Sequence, residues 1–196
     1  MSRIVAGSRG GRRIAMPPGA GTRPTTDRVR EALFSALAAW AGTAAAAPET
    51  ALIDLAFCDL YAGSGAVGLE AASRGAGPVL LVESDRRTAQ LIRRNAAELT
   101  LAVQISTSRV EHLLAQPAAT AYDIVFADPP YERDSATVTG ELALIVQHRW
   151  VSPTGLIVVE RSRRTPAVVW PGAVTSSWSR AYGETVLFFG SLDNEV

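Results

Sequence analysis

The sequence predicts an α/β protein: a doubly wound, mostly parallel sheet of seven strands, preceded by a small basic hairpin and helix. Three observations predict it. Short apolar runs alternate with helix-periodic segments between Phe57 and Glu160, as expected for strands covered on both faces. A glycine-rich stretch, Gly63-Ser64-Gly65-Ala66-Val67-Gly68, follows the first of those runs and opens a helix. The 196 residues are 47% hydrophobic and 19% charged, enough for one well-filled globular core.

Taken in order, Arg3-Ile4-Val5 and Arg12-Arg13-Ile14 flank Ala6-Gly7-Ser8-Arg9-Gly10-Gly11, which reads as a β-hairpin with a loose basic tip. Pro17-Pro18-Gly19-Ala20-Gly21 is a linker, and Pro24 with Thr25-Thr26 opens a helix. Val29, Ala32, Leu33, Ala36, Leu37 and Trp40 recur at helical spacing as its buried stripe, with Arg28 and Arg30 off that stripe. The Ala-rich stretch 42–48 is a connection or a helical extension. Strands are then expected at 57–61, 79–83, 103–107, 123–127 and 156–160. Helices are expected at 67–74, 86–99, 110–115 and 136–148, and two closing strands at 174–180 and 185–190. No internal repeat is present. The expected organisation is an extension over 1–45 and a nucleotide-binding domain over 46–196.

Charge is unevenly distributed. Residues 1–30 hold seven arginines (Arg3, Arg9, Arg12, Arg13, Arg23, Arg28 and Arg30) against one acid, Asp27, while the whole chain is formally neutral. A basic arm on an acidic body points to a polyanionic partner. All 19 basic residues are arginine, the side chain that grips phosphate bidentately and stacks on bases. The single cysteine, Cys58, excludes an intramolecular disulfide and a cysteine metal cluster, and His112 and His148 lie too far apart to expect a zinc site. No apolar run reaches membrane-spanning length and no secretory leader is evident. A cytoplasmic, metal-free monomer is expected.

The glycine loop matches G-x-G-x-x-G, and Glu83 lies 20 residues after Gly63, at the end of the second expected strand. That pattern alone also fits a dinucleotide site in a dehydrogenase. Two features favour S-adenosylmethionine. Asp59 stands at the loop entry, where a carboxylate repels a pyrophosphate and attracts an ammonium. Asp128-Pro129-Pro130-Tyr131 ends the fourth expected strand, next to the first strand in a doubly wound order. The Asp128 carboxylate and the Pro129 carbonyl can each accept one N–H of an exocyclic amino group, and proline adds no competing donor. Tyr131 offers a face on which a base stacks. The cofactor set expected from position is Asp59, Tyr61, Gly63, Ser64, Gly65, Gly68, Glu83, Ser84, Asp128 and, near the adenine, Arg109 or Val110. Asp85 reads as a helix N-cap or a ligand.

Here the chain resembles the RsmD-type bacterial 16S rRNA guanine-N2 methyltransferases. The resemblance runs through Arg3-Ile4-Val5-Ala6-Gly7, Gly10-Gly11-Arg12, Arg23-Pro24-Thr25, Asp27-Arg28-Val29-Arg30-Glu31 and Phe34. It continues through Asp59-Leu60-Tyr61-Ala62-Gly63-Ser64-Gly65, Gly68-Leu69-Glu70-Ala71, Ser73-Arg74-Gly75-Ala76, Glu83, Asn95 and Asp128-Pro129-Pro130-Tyr131. Many methyltransferases share the glycine loop and the Asp-Pro-Pro-Tyr run; the Arg-Pro-Thr-x-Asp-Arg segment and the hairpin are the specific part. Tyr61, where the family often has Phe, and the local insertion near Ala44 to Ala47 are departures. The resemblance implies a Rossmann-like class I methyltransferase fold and methylation of a guanine N2 in 16S rRNA of an assembled or nearly assembled small subunit. Asp128, Pro129 and Tyr131 would be catalytic, and the N-terminal arginines would bind RNA. Competing readings are a DNA adenine-N6 methyltransferase, against which the small size argues, a non-catalytic RNA-binding protein on the same fold, and a dehydrogenase.

Overall fold

A computed structural model describes residues 2–17, 26–130 and 132–192. The chain divides into two compact units, Met1–Ser108 and Arg109–Val196. The hairpin and first helix belong to the first unit together with the first three strands of the main sheet.

In the first unit β1 (Ser2–Arg3) and β2 (Arg13–Ile14) form an antiparallel ribbon with Ser2 opposite Ile14 and Arg3 opposite Arg13. Helix α1 (Asp27–Trp40) is capped by Thr26, whose side chain accepts the Val29 N–H. It ends before Gly42, whose φ of 71° stops the helix, so 42–48 is turns followed by a single 3-10 turn, Pro48–Thr50, rather than an extension. Strand β3 (Phe57–Leu60), helix α2 (Ala66–Ser73), β4 (Val79–Val82), α3 (Arg86–Leu99) and β5 (Gln104–Ser106) alternate as expected. Strands β3, β4 and β5 pair in parallel, and every residue of β3 and β4 is buried. The face of α3 that carries Ala89, Ile92, Ala96 and Leu99 is buried, and Phe34 of α1 stacks on Phe57 at 6.3 Å.

The second unit holds α4 (Val110–Leu114), β6 (Tyr122–Ala127), α5 (Ser135–Gln147), β7 (Val151–Ser162), β8 (Ser176–Tyr182) and β9 (Thr185–Ser191). Strands β6 and β7 are parallel, and β9 pairs antiparallel with both β7 and β8. Strand order in the seven-stranded sheet is β5-β4-β3-β6-β7-β9-β8. This is the mostly parallel α/β sheet that the sequence predicts. Strand β7 is longer than the apolar run 156–160, because its register on β6 jumps from Tyr122↔Val151 to Ile124↔Leu156. That irregularity admits Pro153 and Gly155 into the strand.

The structure corrects the placement of one arginine. Arg30 is 0% exposed although its charge reads as solvent-facing. It falls three, four and seven residues before Leu33, Phe34 and Leu37, all buried, so helical geometry carries it inward. Its guanidinium lies 3.3 Å from Glu70 and 2.9 Å from Asp27, and it donates to the Arg3 carbonyl. The Nε–H is not aligned for a hydrogen bond.

Candidate cofactor cradle and target turn

Between β3 and α2 the chain must leave a buried strand and start a helix within five residues, 61–65. Tyr61 takes φ 65°, a conformation that bulky side chains seldom adopt. Gly63 at φ 54° and Gly65 at φ 82° carry the same hand without cost. A Cβ on Gly65 would stand 2.9 Å from Ile92 and 3.2 Å from Leu69 and Leu81, and one on Gly68 would stand 2.7 Å from Leu81. These two glycines pack α2 tightly on the sheet and α3. Gly63 is different: a Cβ there would meet nothing nearer than 4.0 Å, so its peptide borders open space that a ligand can approach.

Gly65 occupies the N-cap position of α2 and offers no side-chain cap. Asp59, on β3, supplies one in its place: its Oδ2 accepts the Gly68 N–H at 2.8 Å. Asp59 is 1% exposed, and burial pushes its carboxyl up to about 7 against the opposing pull of the Gly68 N–H, with the nearby charge of Glu83 adding to the rise. A carboxylate so poised gains from a cation. Burial also raises the thiol of neighbouring Cys58, with the Asp59 charge adding to it, so that thiol is not a nucleophile at neutral pH.

Glu83 follows β4 and is half-buried. Its Oε2 accepts the Gly63 N–H at 3.0 Å and its Oε1 the Asp85 N–H at 2.8 Å. A carboxylate accepts about four hydrogen bonds; with the long bond from the Ser84 hydroxyl at 3.5 Å three are taken, and one place, plus the one that exposed hydroxyl can yield, is open to a vicinal diol. Ser84 is exposed, its Oγ 3.5 Å from Glu83. Asp85 is the N-cap of α3: it accepts both the Thr88 N–H and the Thr88 hydroxyl at 2.8 Å, and the Thr88 N–H holds its carboxyl below the usual range. Asn95 and Glu70, which the sequence singles out only through the resemblance, are 1% and 0% exposed. Glu70 accepts the Val5 and Ala6 N–H groups at 2.7 and 2.9 Å and pairs with Arg74 at 2.9 Å. It therefore fastens the hairpin to α2.

In the second unit β6 ends at Ala127, and the chain turns through Asp128, half-buried, Pro129, buried, and Pro130, exposed. Tyr131 lies outside the described residues. The Pro130 carbonyl accepts the Arg133 N–H at 2.9 Å. Arg133 then holds the turn's far side: its guanidinium is 2.8 Å from Glu111 and 3.1 Å from Glu141, and its carbonyl accepts from Arg161 at 2.8 Å. Glu111 is held below its usual range, first by its own backbone N–H and then by Arg133. Nothing local in the chain marks Arg133, whose partners sit on other elements. Of the two candidates at the start of α4, Arg109 is exposed, its Nε 3.7 Å from Glu111, and Val110 is 4% exposed.

The basic extension is docked on the first unit. Arg12, Arg13 and Arg28 are exposed. Arg3 is exposed and 3.4 Å from Asp27, a surface pair of small energetic weight. Arg9 is half-buried and donates to the Leu99 carbonyl, at the end of α3. Arg30 is committed to Glu70 and Asp27 and presents no surface to a phosphate. Arg23 lies outside the described residues.

A family model described as conserved hypothetical protein 95 matches residues 2–191. The chain belongs to that family. Family relatives include the ribosomal RNA small subunit methyltransferase D of Escherichia coli K12, 38% identical over 159 residues, 81% of this chain and 73% of that protein. The enzyme of the same name from Haemophilus influenzae is 32% identical over 171 residues, 85% of this chain and 81% of its own. The solved structure of the Escherichia coli protein yhhF superposes with a TM-score of 0.82 at 30% identity, covering 98% of this chain and 99% of that one. These likenesses bear out the RsmD-type resemblance and its methyltransferase fold. Among the described residues, no helix is long and apolar enough to cross a membrane.

Proposed function

We propose that this chain transfers the methyl group of S-adenosylmethionine to the exocyclic N2 of a guanine in 16S rRNA, within the assembled or nearly assembled small subunit. One observation carries the reading: a family member of the small-subunit rRNA methyltransferases retains both a carboxylate-framed glycine loop and an intact Asp128-Pro129-Pro130 turn.

The residues fit the cofactor. Gly63 leaves open space beside its peptide, Asp59 suits an ammonium, and Glu83 has acceptor capacity left for the ribose hydroxyls. Bound there, S-adenosylmethionine supplies an electrophilic sulfonium methyl. The protein's task is to present a nitrogen to it. Guanine N2 is a poor nucleophile because its lone pair is delocalised into the ring. Accepting its two N–H bonds at the Asp128 carboxylate and the Pro129 carbonyl favours a pyramidal nitrogen and localises that pair. The positive charge that develops on nitrogen is stabilised by Asp128. Tyr131 stacks the base, worth roughly 1–3 kcal/mol by comparison with other aromatic platforms. Extracting a base costs a few kcal/mol, less from a loop than a duplex. The RNA-binding surface is the extension over residues 1–45, through Arg12, Arg13 and Arg28, with Arg3, Arg9 and Arg23. Its location in the cell is proposed to be the cytoplasm, and its working form a monomer.

The deciding experiment offers labelled S-adenosylmethionine with unmethylated small subunits, naked 16S rRNA and duplex DNA, followed by nucleoside analysis. N2-methylguanosine from subunits is the expected product. Label in DNA N6-methyladenine would retain the turn's chemistry and overturn the substrate.

A further inference from the structure

Asn95 is buried on α3, yet its carboxamide is fully engaged. Its Oδ1 accepts the Ala15 N–H at 3.0 Å. Its Nδ2 donates to the Ala15 carbonyl at 3.0 Å and to the Ser64 carbonyl at 3.2 Å. The first two bonds reproduce on Ala15 the two-point pairing of a neighbouring strand. The third reaches Ser64, between Gly63 and Gly65 of the cofactor loop. One side chain thus joins the return strand of the basic hairpin, which carries Arg13, to the peptide segment that frames the cofactor.

The opposite side of the hairpin is tied to the other end of α2. The Ser73 carbonyl accepts the Ser8 N–H at 2.7 Å, and its hydroxyl accepts the Arg9 N–H at 2.9 Å and donates to the Ala6 carbonyl at 2.8 Å. Gly7 fits so closely that a Cβ would stand 2.1 Å from the Ser73 oxygen. Helix α2 has eight residues and is about 12 Å long. The hairpin grips one end directly and the loop before the other end through Asn95.

We propose that Asn95 is a positioning residue that couples the extension to the cofactor loop, so that RNA held by the hairpin tightens S-adenosylmethionine and the cofactor tightens RNA. The proposal rests on the reading of the hairpin as the RNA-binding surface. The amide has no slack. Both Nδ2 hydrogens and the Oδ1 are used, so displacing Ala15 either orphans a buried polar group or pulls on the Ser64 carbonyl. A buried group left without its partner is costly. The loop shape that satisfies Asn95 is the one with Gly63 on Glu83 and Gly65 bonded back to Ala62 at 2.7 Å. A ligand that selects that shape also selects the hairpin's seat, and the effect is reciprocal.

The test uses the full chain. S-adenosylmethionine affinity is measured with and without saturating unmethylated small-subunit rRNA, and RNA affinity with and without cofactor. The expected wild-type enhancement is about 5- to 10-fold in each direction. Asn95→Asp keeps the acceptor for Ala15 but turns an oxygen toward two carbonyls. It should bring the enhancement, taken as a ratio within the variant itself, close to one in each direction. A residue with only a structural role would lower the melting temperature and leave the enhancement intact, which overturns the proposal, as does a wild-type enhancement of one. A second measurement needs no variant: amide hydrogen exchange over residues 12–17 should slow when S-adenosylmethionine is added to the wild-type protein, and unchanged exchange sinks the coupling. If Arg12→Ala with Arg13→Ala leaves RNA affinity untouched, the RNA-surface reading fails instead, and the exchange result still decides whether the link exists.

Discussion

The cofactor cradle and the target turn solve opposite problems. The cradle, all within the first unit, is built from buried and half-buried polar groups that bond the protein itself: Asp59 on Gly68, Glu83 on Gly63 and Asp85, Asn95 on Ser64 and Ala15. The turn, within the second unit, relies on two prolines that withhold donors, and its support comes from behind through Arg133. The cradle's side chains are tied to main-chain groups of the fold, whereas the turn limits its donors by composition, since neither proline has an N–H. Damage to the cradle's supports should therefore register as lost stability or altered affinity, and damage to the turn as lost turnover.

The largest effect that would separate them is at Glu70. Glu70→Ala leaves Arg30 and Arg74 buried without their shared counter-ion and strips the Val5 and Ala6 N–H groups of their acceptor. A loss of about 3–5 kcal/mol is expected in urea unfolding. If stability barely changes, Glu70 is not the fastening between hairpin and α2. Next is Asp128→Ala, which should lower kcat roughly 10²- to 10³-fold with the S-adenosylmethionine dissociation constant nearly unchanged. Near-normal turnover would remove Asp128 from the chemistry.

A smaller effect is expected at Asp59, whose carboxyl caps α2 and faces the proposed ammonium. Its folded carboxyl titrates near 7, above the ordinary 3.8. Between those values the folded protein keeps a proton that the unfolded chain has lost, so ligand-free stability falls as pH rises from about 4 to about 7. A cofactor ammonium favours the ionised form, so affinity should rise about tenfold between pH 6 and pH 8, with release of most of one proton at pH 6 in calorimetry across buffers. Flat affinity would confine Asp59 to capping α2. The smallest effect is electrostatic. With Arg12, Arg13 and Arg28 exposed, log RNA affinity should fall against log salt with a slope of roughly −2 to −3. A slope near zero would move the RNA surface elsewhere.

The alternation from β3 to α3 was legible because each apolar run is short and each helix start carries its own signal. Asp85 caps α3, and the expected helix, 86–99, is the observed one. The glycine loop was legible for the same reason, since its geometry is local. What escaped reading depends on distant partners. Arg30 finds Glu70 forty positions away, Asn95 finds Ala15 eighty positions away, and Arg133 finds Glu111 across 22. Charge at Arg30 outweighed its helical phase in the sequence, although that phase already set it with Leu33, Phe34 and Leu37. The extra residues of β7 escaped because a register irregularity hides a proline and a glycine inside a strand.

The hairpin's outer edges have one more consequence. A two-stranded ribbon exposes rows of peptide groups to which a strand from another molecule can add. Here side chains occupy peptide groups that flank the ribbon: Glu70 takes Val5 and Ala6 and Ser73 takes Arg9, all between β1 and β2, and the Asn95 carboxamide stands in for a third strand at Ala15, just past β2. The same residues that seat the basic surface thus cover the peptide groups beside the ribbon, and a variant that unseats it would free them for pairing with another molecule.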